Sequence, residues 1–164
     1  MQAEEPRGLG PWPSALGSFV LLQFGAVQYS ESRVRVRYAE TDQMGIAHHA
    51  NYFVWFEIGR TDLCRLTGFP YDEIEARGYL LVVTEIQCRY RQPFRYDEEV
   101  RIRTSISEAA SRSLTFAYDL FAGDELRASG FSAHLWLDRG TRKPVRADEE
   151  VMRAFAPFLP APSR

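Results

Sequence analysis

The stretch YFVWFEIGRTDLCRLTGFP, residues 52–70, decides the fold of this 164-residue chain. Its apolar residues recur at helical spacing, at Tyr52, Trp55, Phe56, Gly59, Leu63 and Leu66. Gly68 and Pro70 then supply a stop, so we predict one helix of about four to five turns. Phe53, Val54 and Ile58 widen the apolar face beyond an ordinary stripe. A helix of this kind is enclosed by a sheet on more than one side and lies at the centre of the fold.

The residues before this helix alternate as in a half-buried strand. Val34, Val36 and Tyr38 form one side of the strand, which ends at residues 40–42. The opposite side carries a charged series that we interpret as its solvated face: Glu31, Arg33, Arg35 and Arg37.

The residues after the helix predict further strands joined by turns. A second short helix is expected over 71–77, and a closing helix over 148–158 with Asp148 as its N-cap. Between them lie four predicted strands, at residues 79–95, 99–108, 113–122 and 125–137. This order predicts an α+β domain in which one antiparallel sheet curls around a long central helix.

One such domain is expected over residues 31–158. The Gly/Pro-rich opening predicts a disordered extension over residues 1–30, and residues 159–164 a short tail.

Charge and cysteine usage narrow the classes of partner. With 20 basic and 22 acidic residues, the chain offers no broad cationic surface, so we expect no nucleic acid partner. No stretch reaches the ~20 apolar residues that span a bilayer, so no integral membrane association is expected. Cys64 and Cys88 stand at unrelated spacings, and we interpret both as reduced core residues of a cytoplasmic protein. The partner is then a small molecule or another protein chain.

The densest cluster of functional side chains is YAETDQMGIAHHANY, residues 38–52, at the junction of strand and helix. The first turn of a helix leaves backbone N–H groups without partners and has positive dipole character. A turn at Gly45 folds Asp42 back against those donors, which favours its ionised form. Asp42 is then placed to attack a thioester carbonyl or to deprotonate water. The amide near His49 would hold the carbonyl oxygen, an interaction worth about 3 kcal/mol. In the simpler interpretation, Asp42 only caps a turn.

Several of these residues together resemble a known family of enzymes. The matching residues are Tyr38, Thr41, Asp42, Gly45, His49, Asn51, Tyr52, Phe56, Glu57 and Arg60, followed by the run RYRQPFRYD at 89–97. The pattern resembles the hotdog-fold 4-hydroxybenzoyl-CoA thioesterase family, especially its Tol-Pal-associated acyl-CoA thioesterase branch, over roughly residues 33–158.

The resemblance implies an acyl-CoA thioesterase that is a homodimer or homotetramer with sites between subunits. Asp42 matches the catalytic aspartate, and Tyr38 and His49 match positions that assist it. Val83 matches a position that lines the site from the neighbouring subunit. Glu57, with a threonine one turn later, is similar to the pair used by a hotdog branch that lacks this aspartate, and is kept as a supporting catalytic residue.

Substrate contacts follow from the same resemblance. Gly45 and Asn51 are assigned to substrate binding, and Arg112, Arg142 and Lys143 occupy positions comparable to those that meet coenzyme A phosphates. Coenzyme A enters as part of the substrate, so no separate cofactor is expected.

Other interpretations stay open. A hotdog hydratase or dehydratase would use Asp42 and His49 as an acid/base pair, and a non-catalytic acyl-CoA-binding module would need no chemistry. A zinc site at His48 and His49 is disfavoured, because adjacent helical residues diverge by about 100°. Tyr52, Trp55 and Phe56 are interpreted as core packing, and His134 as a hydrogen-bonded sheet residue.

Overall fold

The structure, a computed structural model, describes residues 28–160. Residues 1–27 of the predicted extension and 161–164 of the predicted tail lie outside the described residues. The elements in chain order are β1 Ser30–Arg35, α1 Asn51–Leu66, α2 Tyr71–Ala76, β2 Tyr79–Tyr90, β3 Glu99–Ala110, β4 Ser113–Ala122, β5 Glu125–Asp138 and α3 Glu149–Phe155. The α+β order predicted from the sequence is confirmed.

The five strands form one antiparallel sheet in the order β1-β3-β4-β5-β2. Val34 of β1 pairs with Val100 of β3, and Val83 of β2 pairs with His134 of β5. The register of β2 shifts between Val83 and Glu85. Strand β2 is therefore an edge strand of twelve residues, and its middle residues are exposed.

Helix α1 packs across the sheet through large buried side chains. Trp55, Phe56 and Leu63 are almost fully buried, and the Phe56 ring stacks on Tyr118 with centroids 4.2 Å apart. Burial of each such side chain stabilises the fold by about 1.5–3 kcal/mol. The predicted core packing of Tyr52, Trp55 and Phe56 is confirmed.

The opposite side of α1 is less covered than its sequence predicts. Val54 and Leu66 are 48% and 65% exposed. One sheet covers one side of a helix, so among the described residues no second layer covers these apolar side chains.

Two glycines allow α1 to approach the sheet closely. A Cβ at Gly59 would collide with Thr104 Oγ1 and would stand 2.9 Å from the Ile102 side chain. At Gly130 a Cβ would collide with the Gln87 carbonyl oxygen and stand 2.8 Å from the Phe56 ring. The close spacing between helix and sheet therefore requires glycine, which has no side chain, at both positions.

Strands β1 and β2 end earlier than predicted. Tyr38 does not continue the buried side of β1 but begins a short 3-10 turn, Tyr38–Glu40, and is 78% exposed. The turn forms because the Glu40 carboxylate accepts hydrogen bonds from the Arg37 amide and guanidinium. Strand β2 ends at Tyr90 because the next two amides both turn to the carbonyl of Arg127.

Both cysteines are free thiols, as predicted. Burial raises the pKa of Cys64 to about 12 and that of Cys88 to about 11, so both are protonated near neutral pH. Between residues 28 and 160, no helix is long and apolar enough to cross a membrane.

Candidate active site

Asp42 sits in a tight loop that returns the chain from β1 to α1. Its amide donates to the Ile46 carbonyl at 2.9 Å, and its carbonyl accepts from the Gly45 amide at 2.9 Å. Gly45 has a φ of +71°, a conformation that favours glycine. The turn predicted at this glycine is therefore present.

One carboxylate oxygen of Asp42 is used by the loop itself. Oδ1 accepts a hydrogen bond from the Met44 amide at 2.8 Å, which is an Asx turn. Oδ2 has no hydrogen-bond partner within residues 28–160. The simpler interpretation, a turn cap, accounts for only one of the two oxygens.

All but one of the backbone amides of residues 47–52, which lead into α1, have hydrogen-bond acceptors. The Ala47 amide donates to the Phe94 carbonyl, and the His48 amide donates to the Glu40 carbonyl. The amides of residues 50–52 donate to acceptors on His48 or His49. Across this part of the described chain, the His49 amide alone has no acceptor. A backbone donor at a helix start is therefore available to a ligand oxygen.

Glu40 anchors this loop from inside the fold. Glu40 is 5% exposed, and its backbone carbonyl accepts hydrogen bonds from the His48 amide at 2.8 Å and from the Asn51 side-chain amide at 2.7 Å. Burial alone raises the pKa of Glu40, but the hydrogen bonds and charge of Arg37 outweigh it and lower the pKa below its ordinary value. Glu40 is thus an ionised internal support for the start of α1.

Tyr90 holds the same loop from the end of β2. Its hydroxyl donates to the His49 carbonyl at 3.1 Å. Burial and the neighbouring Cys88 raise the pKa of Tyr90 to about 12, so the phenol stays protonated and remains a donor. His49, the residue whose amide is free, is therefore tied to the sheet through its carbonyl.

Asp42 is shared by two cavities. The smaller, of about 250 Å³, is lined by Asp42, Met44, Ile46, Ala47, His49, Tyr52, Tyr90, Arg91, Gln92 and Pro93. The larger, of about 770 Å³, is lined by Tyr38, Ala39, Thr41, Asp42, Gln43, His48 and Asn51. The rings of the two adjacent histidines lie 4.1 Å apart, and each histidine belongs to a different cavity.

Five of the predicted site residues thus meet around one loop, and one of them, Gly45, forms its turn. Tyr38 and Asn51 share the larger cavity with Asp42, and His49 shares the smaller one. Asn51 also has a structural task, because its side chain is bonded to the Glu40 carbonyl.

The other predicted residues lie elsewhere in the chain. Glu57 is 66% exposed and pairs with Arg60 at 3.5 Å, and Val83 is 40% exposed on the edge strand. Neither lines either of these two cavities. The cationic candidates lie at the opposite end of the sheet, in the β3–β4 turn and after β5: Arg112, Arg142 and Lys143.

Sequence reasoning assigned no role to Glu40 or Tyr90. Tyr90 stands within the RYRQPFRYD run, but nothing in that run indicates a contact with a residue 41 positions away. Glu40 precedes the Thr41-Asp42 pair, and its position in the first turn suggests a capping carboxylate. Its burial was not evident from the alternating pattern.

Comparison with known proteins identifies the family to which the chain belongs. The model of the thioesterase-like superfamily matches residues 36–155. A putative acyl-CoA thioesterase of Bacillus subtilis (strain 168), YneP, is 38% identical over 118 residues, covering 71% of this chain and 86% of the relative.

Similar solved structures support the same family assignment. The hypothetical protein TT1821 from Thermus thermophilus has a TM-score of 0.75 at 40% identity, covering 79% of this chain and 98% of the other. A DHNA-CoA thioesterase from Staphylococcus aureus has a TM-score of 0.74 at 31% identity, covering 78% and 89%. The chain therefore belongs to the thioesterase-like superfamily, adopts the hotdog fold and is, at the level of that family, a thioester hydrolase.

Proposed function

We propose that the protein hydrolyses acyl-CoA thioesters to a free acid and coenzyme A, with Asp42 as the essential carboxylate. The observation that carries this proposal is that Asp42, which has one carboxylate oxygen without a partner in the described part of the chain, and His49, whose amide has no acceptor there, line the same cavity. A carboxylate and an amide donor are the two groups that thioester hydrolysis needs. The assignment to the Tol-Pal-associated branch of the 4-hydroxybenzoyl-CoA thioesterase family is part of the same proposal.

The His49 amide holds the thioester oxygen and binds it more strongly as negative charge develops there. In the general-base route, Asp42 takes a proton from water while the water oxygen bonds to the carbonyl carbon. The carbon–sulfur bond then breaks, and the thiolate leaves and is protonated. In the nucleophilic route, an Asp42 oxygen bonds to the carbonyl carbon as the carbon–sulfur bond breaks, and the thiolate leaves and takes a proton from solvent. Water then cleaves the resulting anhydride to the free acid and the Asp42 carboxylate.

Strand β2 supports a dimer in which two chains complete each site. It is a twelve-residue edge with Val82 and Val83 exposed, and such an edge favours pairing with another strand. Antiparallel pairing of β2 with its copy brings the Asp42 end of one sheet beside the opposite end of the other. The partner's Arg112, Arg142 and Lys143 then lie at that end, where cations meet the phosphates of coenzyme A.

The test compares Asp42→Asn with Asp72→Asn in a thiol-release assay over acyl-CoAs of several sizes. Asparagine keeps the oxygen that accepts from Met44, so the loop is retained while the charge is lost. We expect kcat/KM to fall by about 100-fold or more for Asp42→Asn, because base or nucleophile is removed. Asp72 is exposed on α2, and its variant should match the wild type.

An Asp42→Asn variant that folds normally and retains the wild-type rate overturns the proposal. Single turnover in oxygen-18 water separates the routes, since the label enters the Asp42 side chain only when an anhydride forms.

A further inference from the structure

We infer that Arg127, in the middle of the sheet edge of β5, is a positioning residue for the site around Asp42. The inference rests on the proposed function and adds a residue that lines neither cavity. Arg127 acts through residues 91–98, which join β2 to β3 and which we call the cavity loop. Residues 91–93 of this loop line the smaller cavity together with Asp42 and His49.

The backbone of Arg127 holds the first residues of the cavity loop. Its carbonyl accepts hydrogen bonds from the Arg91 amide at 2.8 Å and from the Gln92 amide at 3.1 Å. Both bonds are made by the main chain, so they do not depend on which side chain stands at position 127. A substitution of Arg127 therefore releases only the later part of the loop.

The side chain of Arg127 holds that later part through one nitrogen. Nη1 donates to the Pro93 carbonyl at 3.0 Å and to the Glu98 carboxylate at 2.8 Å. The guanidinium also lies over the Phe94 ring, 5.4 Å from the ring centroid. Because only 17% of the Arg127 side chain is exposed, water competes weakly for these contacts. The side chain thus fixes residues 93–98 at both ends.

The cavity loop holds the helix side of the turn that carries Asp42. The Phe94 carbonyl, next to the peptide that Arg127 binds, accepts a hydrogen bond from the Ala47 amide at 2.8 Å. Ala47 in turn forms an antiparallel bridge with Thr41, the residue before Asp42. A displacement of Phe94 is therefore transmitted to the carboxylate through two backbone contacts.

The last residues of the cavity loop hold the strand side of the same turn. The Val36 amide donates to the Glu98 carbonyl at 2.9 Å, and the Asp97 amide donates to the Val36 carbonyl at 2.9 Å. Val36 is the residue that follows β1, and the chain runs from it into the turn. Both sides of the turn are thus bonded to the segment that Arg127 fixes.

This connection matters because the reacting groups must be placed closely. A displacement of about 1 Å can lower the rate of an enzyme by as much as about 100-fold. Asp42 and His49 stand on either side of Ala47, whose amide is bonded to the cavity loop. Arg127 therefore helps to set the separation between the carboxylate and the His49 amide without contact with the thioester.

The experiment measures kcat and KM for thiol release in Arg127→Met and in Glu125→Gln. Methionine keeps an apolar stem but has no donor for Pro93 or Glu98. Glu125 accepts from Nε of the same guanidinium at 3.0 Å, so its variant leaves both Nη1 bonds in place and is the matched control.

We expect kcat to fall by about tenfold in Arg127→Met while KM changes by less than about threefold, because the reacting groups are displaced. Glu125→Gln should match the wild type. A folded Arg127→Met protein with the wild-type kcat overturns the inference.

A double variant separates positioning from stability. Arg127→Met leaves the Glu98 carboxylate without its cation, which should lower the melting temperature. Adding Glu98→Gln removes that charge, and glutamine can still accept from the Arg95 amide. The double variant should regain melting temperature but remain about tenfold slow, because the Pro93 carbonyl still lacks its donor. If kcat recovers together with the melting temperature, Arg127 acts on stability alone and the inference is overturned.

Amide hydrogen exchange tests the same connection without the reaction. In Arg127→Met the Ala47 and Val36 amides should exchange about tenfold faster, whereas the Leu63 amide within α1 should be unchanged. An Ala47 amide that exchanges at the wild-type rate overturns the inference. Failure of the proposed function gives a different result, namely no thiol release by the wild type from any acyl-CoA, and leaves the exchange measurement as the test of Arg127.

Discussion

The middle of α1 and the loop at its start are held in place by different forces. Around Gly59 and Phe56, side chains and backbone approach so closely that no added atom fits. Around Asp42, backbone hydrogen bonds and the buried Glu40 set the geometry, while the side chains themselves remain partly exposed. The packed region therefore supplies most of the stability, whereas side chains of the loop remain free for chemistry.

The largest expected effect is in the packed region, for Gly59→Ala. In an exposed helix this change stabilises by up to about 1 kcal/mol. Here the new methyl collides with Thr104 and Ile102, so we expect a net loss of about 3 kcal/mol in the free energy of unfolding. Urea denaturation measures it.

A second substitution shows whether the collision is the cause. Thr104→Ala removes the nearest atom, a buried hydroxyl with no hydrogen-bond partner in the described part of the chain. In a double-mutant cycle it should restore a large part of the lost stability. Strictly additive losses would show that α1 does not depend on this contact.

The next effect concerns His134, which is buried in the core and bonded to Ser132 at 2.8 Å, as its sequence position predicts. Burial and the nearby charge of Arg60 lower the pKa of His134 to about 3. Between about pH 6.5 and pH 3, the unfolded chain takes up a proton that the folded chain does not. Stability is therefore lost as the pH falls through this window, by about 2 kcal/mol between pH 7 and pH 5.

Urea denaturation of the wild type and His134→Gln at both pH values isolates this contribution. Glutamine can still bond to Ser132 but does not titrate. Between pH 7 and pH 5 the variant should therefore lose about 2 kcal/mol less in free energy of unfolding than the wild type. Equal losses in the two proteins would mean that His134 is protonated in the folded state.

The smallest expected effect is in the loop, for Tyr90→Phe. The variant loses the hydrogen bond to the His49 carbonyl but keeps the ring. We expect kcat to fall by about fivefold, corresponding to about 1 kcal/mol, with KM and the melting temperature nearly unchanged. A drop in melting temperature with unaltered kcat would make Tyr90 a part of the packed region instead.

The elements that sequence reasoning located well are those with a strong local period. The spacing of Tyr52 to Leu66 and the glycine and proline that follow place α1 correctly, and alternation locates β3 and β4. The predicted ends of β1 and β2 were wrong. After β1 the Arg37 amide bonds to the Glu40 carboxylate, and after β2 the next two amides bond to the Arg127 carbonyl of the neighbouring strand. Such partners leave no periodic trace.

The central helix, the antiparallel strands and the turn that places Asp42 before the helix can be predicted from the amino-acid sequence, because periodicity and glycine act over a few residues. Three features depend on tertiary contacts: the burial of Glu40, the bond from Tyr90 to the His49 carbonyl, and the position of Asp42 at the border of two cavities. The Tyr90 bond and the cavity walls join segments far apart in the chain, and their geometry exists only once α1 has packed against the sheet.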